Sequence, residues 1–411
     1  MNTSLRILII GAGPAGCACA IELANKGIPS VIIDKAKFPR DKICGDALSG
    51  KVLAYIKRLN PLWVNELEDL STYMPSHGIN FFAPSGKNLR LKFNLSASKE
   101  PLKNPGYVAT RVNFDHWLVE KVKGNKLIQF IDETEIRKYR LVANVWHAES
   151  TNGTLYVGDL IIACDGAYST FAKNIGLLKT EPKHNSFGLR AYYKNVKFED
   201  DENFIELHFI KDLLPGYFWI FKLPNNEFNV GVGLSAAVVD SKKIKLKKKF
   251  EDIIQNNPLI APRFKDAEKI EEVKLWGLPL GSKKRKLYGQ QYLICGDAAM
   301  IIDPFSGEGI GNALCSGYTA ATTIIEQIEK QDYSEQSLKN YQSRLEQKIG
   351  PELALSTKLQ YLANYPSLFN FVVRKVSNSS ILQETFSNMF TDINLRAQLK
   401  NPKFYWHLLF K

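Results

Sequence analysis

The chain has 411 residues, 45% of them apolar and 23% charged. These values sit near the globular average and exclude wholesale disorder, a collagen-like repeat and a disulfide scaffold. The length asks for two or three domains, or one large fold with insertions. Basic residues number 54 against 42 acidic, a net charge of +12. Much of the excess lies in two runs: Lys242, Lys243, Lys245, Lys247, Lys248 and Lys249, then Lys283, Lys284, Arg285 and Lys286. Such a balance suits nucleic acid, an anionic membrane surface or an anionic cofactor. No nucleic-acid module surrounds either run, so both read as solvated lysine faces and no nucleic-acid partner is expected. No apolar run approaches the roughly eighteen residues of a spanning helix. An apolar strand begins by Leu5, which leaves no room for a signal peptide. The six Cys show no paired zinc spacing, which suits free thiols in a reducing cytoplasm.

In chain order, Leu5 to Ile10 is a short apolar run, as a strand buried on both faces would be. Gly11-Ala12-Gly13-Pro14-Ala15-Gly16 follows at once, then a helical pattern through Lys26, with Gly27 where the helix stops. A second buried strand, Ser30 to Ile33, ends in Asp34. Strand, glycine turn, helix, strand and acid about twenty residues on form a complete dinucleotide-binding context. Gly11, Gly13 and Gly16 let the backbone turn and approach a pyrophosphate, whose charge the helix N-terminus favours. Asp34 is placed to accept hydrogen bonds from ribose hydroxyls, and it argues against a 2′-phosphate there.

Two further apolar runs end in acids. Leu160 to Cys164 leads to Asp165-Gly166, and Gln291 to Cys295 leads to Gly296-Asp297. Pro304-Phe-Ser-Gly-Glu-Gly309-Ile310-Gly-Asn312 then opens a helical pattern to about Lys330. Together these motifs resemble the FAD-binding fold of the para-hydroxybenzoate hydroxylase superfamily. The resemblance implies FAD as cofactor, with Asp165 and Gly166 at its site and Asp297 on the ribityl chain. Gly309 and Ile310 would offer backbone N–H groups to the flavin pyrimidine edge, where a helix N-terminus stabilises negative charge.

Pro39 to Cys44-Gly45-Asp46-Ala47 follows the second strand; Tyr107-Val-Ala-Thr-Arg111 precedes a helix; Tyr217-Phe-Trp219-Ile-Phe221-Lys222 leads to Gly231-Val-Gly233. Over roughly residues 5 to 330 these segments resemble the geranylgeranyl reductase family, flavoproteins that reduce isolated C=C bonds of polyprenyl chains. The family's P-x4-C-G-G loop carries Asp46 in place of the second glycine here, and Lys222 stands where its substrate motif has proline. By this resemblance Arg111, Ala15, Cys44, Gly45 and Ala47 contact FAD. Tyr217 and Trp219 share one face of a strand, and their flat rings suit a slot for an isoprenoid tail. Cys44 is the candidate proton donor, since a thiol's pKa is easily shifted. His77, His116, His147, His184, His208 and His407 show no ligand spacing, so no metal is expected.

The expected fold is α/β: a Rossmann-like FAD-binding domain, an antiparallel-sheet substrate domain and a C-terminal helical segment. The FAD-binding domain is discontinuous over 1–75, 105–185 and 286–335; the sheet domain takes 76–104 and 186–285; residues 336–411 are helical. The aromatic tail from Pro402 to Lys411 reads as packing on its own protein, with a peripheral membrane interface as the other setting for its Trp and Tyr. There is no second fingerprint for a nicotinamide, so the reductant is NAD(P)H docking transiently or a ferredoxin-like donor. The expected activity is FAD-dependent reduction of C=C bonds in a polyprenyl lipid or quinone tail. The alternative on the same fold is a monooxygenase or halogenase, with Lys42 or Lys51 as the halogenase lysine.

Overall fold

The computed structural model describes residues 5–93, 104–380, 382 and 383. Five parallel strands form the first sheet, in the order Tyr292–Ile294, Leu160–Ala163, Ile7–Ile10, Ser30–Ile33 and Ile128–Ile131. Tyr288–Gly289 adds an antiparallel edge. Ile7–Ile10 is central and every residue in it is buried, which is why the sequence shows an unbroken apolar run rather than alternation. The carboxyl ends of Ile7–Ile10, Ser30–Ile33 and Leu160–Ala163 lead into Gly11, Asp34 and Asp165, at the end of the sheet where ligands of open α/β folds bind.

Helix Pro14–Asn25 is buried over almost its whole length, between this sheet and helix Ile310–Ile328. Its Ala, Gly and Cys content lets the two helices approach to backbone distance: a Cβ on Gly317 would fall 2.0 Å from the Ala15 carbonyl oxygen. Helix Glu335–Leu362 packs on Ile310–Ile328, and its Leu338, Tyr341, Leu345, Ile349 and Leu353 belong to the same hydrophobic core as the parallel sheet. The C-terminal segment is therefore part of that core over its first helix. Pro366–Ser377 instead packs on the second sheet through Phe369, Val373 and Val376.

The second sheet has eight strands. Its path runs Glu268–Lys269, Asn185–Lys194, Glu227–Ser235, Tyr217–Lys222, Ile205–His208, Gly78–Phe82 and Asn88–Lys92, with Lys274–Pro279 also paired to Asn185–Lys194. It departs from an all-antiparallel expectation at one place. Ile205–His208 runs parallel to Gly78–Phe82, because the hairpin from the earlier insertion joins the edge of the later one. Alternation on its strands sends Phe218, Ile220, Phe228, Val230 and Val232 to one core and Trp219 and Phe221 to another. The second face looks onto the ends of the parallel strands. The tail from 402 to 411 lies outside the described residues, and among these no helix is long and apolar enough to cross a membrane.

The second lysine run is largely engaged with acids and the first, among the described residues, only through Lys247 and Lys249. Lys283, Lys284 and Lys286 pair with Glu181, Glu346 and Glu335 at 2.6, 2.6 and 2.7 Å, and Lys249 reaches Asp212 at 3.3 Å.

Candidate active site

Between the two sheets lies a cavity of about 600 Å³. Gly11, Gly13, Ala15, Asp34, Cys44, Gly45, Ala47, Arg111, Asp165, Gly166, Asp297, Gly309, Ile310, Tyr217 and Trp219 all line it. Gly16 does not: its Cβ would stand 1.9 Å from the Gly11 carbonyl oxygen, so glycine there serves helix–strand packing. The third glycine of the turn thus answers a need of the fold, not of a ligand.

The first wall is built from backbone. Gly11 takes φ +103°, and a side chain there would meet the Cys164 carbonyl oxygen at 2.3 Å. Gly13 caps helix Pro14–Asn25 without a side chain, and no acid sits in the first turn, so the positive helix end is left to an external anion. The Arg40 guanidinium is the nearest group, 3.9 Å from where a Gly13 Cβ would stand. Asp34 accepts the Ala12 and Ala36 N–H groups at 2.7 and 2.8 Å, which fixes both carboxylate oxygens at the rim. Asp165 accepts from the Phe171 N–H and the Thr170 hydroxyl through Oδ2, while its buried Oδ1 has no partner. Burial raises the Asp165 pKa, opposed by these hydrogen bonds. Asp297 is bonded by Lys42 Nζ at 2.8 Å and lies beside Gly309 at the head of helix Ile310–Ile328. A glycine cradle, an unfilled helix N-terminus, a fixed acceptor pair and an orphaned carboxylate oxygen fit a dinucleotide cofactor.

Two guanidiniums of the cavity lining share one buried carboxylate. Arg111 grips Asp115 through Nε and Nη2 at 2.7 and 2.6 Å, and Arg40 adds a third bond at 2.6 Å. Burial alone would raise the Asp115 pKa, but the two guanidiniums override it and hold the carboxylate ionised. Cys44 lies close enough to feel Arg111, yet burial dominates and pushes the thiol up, so Cys44 is held as the neutral thiol. It is also the least buried of the six free cysteines, the other five being buried.

The opposite wall is built from side chains. Tyr217, Trp219 and Phe221 point from one face of their strand, with neighbouring centroids 6.2 and 6.3 Å apart. Trp219 lies over Gly231, where a Cβ would come within 2.1 Å of the indole. Phe221 packs on Gly45, and the Tyr217 hydroxyl donates to the Ser306 carbonyl at 2.7 Å, so the slot touches both cofactor-side loops. Ile79, Leu207, Phe305, Leu355 and Leu359 extend this apolar arm. Lys222 lies over Phe198 on the far face of the sheet and does not line the cavity, so its substitution for proline leaves the slot intact. The two lysines considered for halogenation are occupied: Lys42 by Asp297, and Lys51 by Glu352 and Asn312 at 2.6 and 2.7 Å.

Comparisons with known proteins fit this geometry. The FAD binding domain family matches residues 4–51, and the cofactor is FAD. The digeranylgeranylglycerophospholipid reductase of Methanocaldococcus jannaschii is 30% identical over 97% of this chain and 95% of its own. The chain belongs to the geranylgeranyl reductase family. A menaquinone reductase of Mycolicibacterium smegmatis is 29% identical over 78% of this chain and 76% of its own. Among solved structures, a geranylgeranyl bacteriochlorophyll reductase-like protein from Thermoplasma acidophilum superposes with a TM-score of 0.78 at 23% identity, covering 97% and 98% of the two chains. The halogenase PltM with FAD reaches 0.73 at 16% identity, over 97% of this chain and 86% of that one, which shows a shared fold. As a geranylgeranyl reductase family member the chain is an FAD-dependent oxidoreductase.

Arg40, Arg190, Tyr192 and Asn229 escaped the motif reading. Arg40 was within the quoted loop but carried no signal of its own; Tyr192 and Asn229 reach the site only through strand register.

Proposed function

We propose that this chain reduces C=C bonds of a polyprenyl lipid or quinone tail, with the chain of the substrate lying in the slot formed by Tyr217 and Trp219. The observation that carries this reading is the continuity of one cavity from the dinucleotide cradle to an aromatic, aliphatic arm. Reduced FAD, when bound, supplies hydride to an alkene carbon. The protein's own part is to bind, dry and orient. Trp219 is 7% exposed, and its ring presents a flat apolar surface across which an isoprenoid can slide and stack. The apolar arm excludes water and fixes the reacting carbons in line. Arg40 and the open end of helix Pro14–Asn25 take the pyrophosphate, Asp34 the ribose, and Lys42 with Asp297 the linking chain. Cys44 holds a proton at Sγ, and burial keeps it there until a carbon accepts it.

The working domain division keeps 1–75, 105–185 and 286–335 as the FAD-binding unit and 76–104 with 186–285 as the substrate sheet. The reductant is a diffusing donor, NAD(P)H or a ferredoxin-like protein. The relatives named above support a lipid or quinone substrate, and the engagement of Lys42 and Lys51 weighs against the halogenase alternative.

Trp219→Ala in FAD-loaded protein tests the slot. The polyprenyl lipid's KM should rise about tenfold, equal to about 1.4 kcal/mol of binding, with FAD content unchanged. Unchanged lipid kinetics would remove the slot from the account.

A further inference from the structure

Asn229 is completely buried on the cavity face of Glu227–Ser235, between Tyr192 and Phe221 of the flanking strands. Its amide is used at both ends. Oδ1 accepts the indole N–H of Trp219 at 2.8 Å, and Nδ2 donates to the Cys44 carbonyl and to Asp46 Oδ2, each at 2.8 Å. The same Oδ2 accepts the Tyr192 hydroxyl at 2.6 Å. Asp46 is itself fully buried at φ +68°, a backbone conformation open to Asp and Asn, and its carbonyl accepts the Ala109 N–H. The other end of this loop is tied to the same sheet, since Arg190 holds Asp41 at 2.7 Å and stacks on Tyr192.

We propose that Asn229 and Asp46 form a positioning latch that couples the aromatic slot to the Cys44 loop, so that seating a hydrocarbon chain against Trp219 and seating the cofactor against Cys44–Gly45 favour one another. An ordinary core asparagine needs only to satisfy its own polar atoms. This one spends its side-chain bonds on two elements from opposite walls of one cavity, and the indole edge it holds also packs on Gly45, 3.8 Å from where a Cβ there would stand, so the bond and the packing contact reach the same loop. The carboxylate is the second anchor: it holds the amide donor and Tyr192 from below, so the Oδ1 lone pairs stay aimed at Trp219. Neither residue is a catalytic residue; both act through Trp219 and Cys44. The coupling rests on the slot reading given above.

The test uses FAD-loaded protein and two independent readouts: the KM and kcat of a polyprenyl lipid, and the alkylation rate of Cys44 by iodoacetamide without lipid, mapped by mass spectrometry. Asn229→Ala should raise KM about tenfold with kcat changed less than about threefold, and should speed Cys44 alkylation about fivefold. Asp46→Asn, which keeps an acceptor oxygen and the backbone conformation, should stay within about twofold of wild type in both, whereas Asp46→Ala should follow Asn229→Ala. Trp219→Phe removes the indole N–H but also trims the ring that forms the slot, so it is read through Cys44 and not through KM. Because it breaks the same bond, the double variant with Asn229→Ala should show the Cys44 alkylation rate of Asn229→Ala alone. If Asn229→Ala does not fold, Trp219→Phe carries the test through Cys44, whose alkylation should still quicken. Wild-type alkylation in both Asn229→Ala and Trp219→Phe, or fully multiplicative effects in the double variant, would overturn the latch. Unchanged lipid kinetics in Trp219→Ala would instead overturn the slot, and with it the coupling.

Discussion

The elements that carry the cofactor side of the cavity pack on backbone: a Cβ on Gly11, which lines it, or on Gly16 or Gly317 behind it would fall 2.3, 1.9 or 2.0 Å from a carbonyl oxygen. On the substrate side rings take a larger share: a Cβ on Gly45 would meet Phe221 at 3.1 Å, and one on Gly231 would meet Trp219 at 2.1 Å as well as the Leu189 carbonyl oxygen at 2.4 Å. Backbone cannot move without unmaking a strand or helix, whereas a ring at the end of two rotatable bonds can turn away. The cofactor wall should therefore be brittle to small changes and the substrate wall graded in its response. That is the arrangement expected where one ligand is constant and the other is long, flexible and variable in length.

The largest effect should come from Gly11→Val, which places a β-branched side chain at φ +103° against the Cys164 carbonyl. No folded, FAD-loaded protein should be recovered, and a yellow, cooperatively melting variant would break the contrast. Gly13→Val should behave differently, because only the Arg40 guanidinium lies within 4 Å of its Cβ. It should fold normally and lose FAD, as flavin absorbance after gel filtration would show.

Next is the buried pair that anchors helix Glu335–Leu362 to the cofactor wall. Lys51 and Glu352 are about 5% exposed and 2.6 Å apart. Lys51→Met removes the cation bonded to the Glu352 carboxylate at 2.6 Å and should cost about 3–5 kcal/mol in chemical denaturation. A loss below about 1 kcal/mol would show that the helix is held by its apolar face alone.

Asp46 should act in the other direction. Burial outweighs Arg190, Tyr192 and Asn229 and pushes its carboxyl up to about 6, against 3.8 for an unburied aspartate. Between these values the folded chain binds a proton that the unfolded chain lacks, so stability falls as pH rises from about 4 to about 6 and is level above. Asp46→Asn removes that penalty. It should be more stable than wild type by about 1–3 kcal/mol at pH 7.5, with the difference vanishing near pH 4. A pH-independent difference would show that the carboxylate is not strained by burial. Arg111, which also faces the group and lowers its pKa, is bonded to Asp115 through Nε and Nη2.

The smallest effect belongs to the surface. Lys284→Ala breaks a pair whose lysine is 80% exposed and should change stability by no more than about 0.5 kcal/mol.

The same contrast explains what was legible in the sequence. The needs of Gly11, Asp34, Asp165 and Asp297 are local: each ends a strand or opens a helix, so a few adjacent residues announce it. Tyr217 and Trp219 were visible because a strand's alternation puts them on one side. Asn229, Tyr192 and Arg190 were not, since each reaches the site only through pairing between strands distant in sequence, and a one-residue slip would turn them to the far face. Asp46 marked a departure from the glycine pattern without showing that its carboxylate is buried and tied to both walls. Gly16 was the reverse case, a motif residue whose glycine is demanded by packing.

The most direct measurement is to incubate the reduced, FAD-loaded protein with polyprenyl lipids, with and without oxygen, and weigh the products. The account predicts a gain of hydrogen pairs, one per reduced double bond, in the absence of oxygen. A product that gains oxygen or halogen, and only in air, would contradict it.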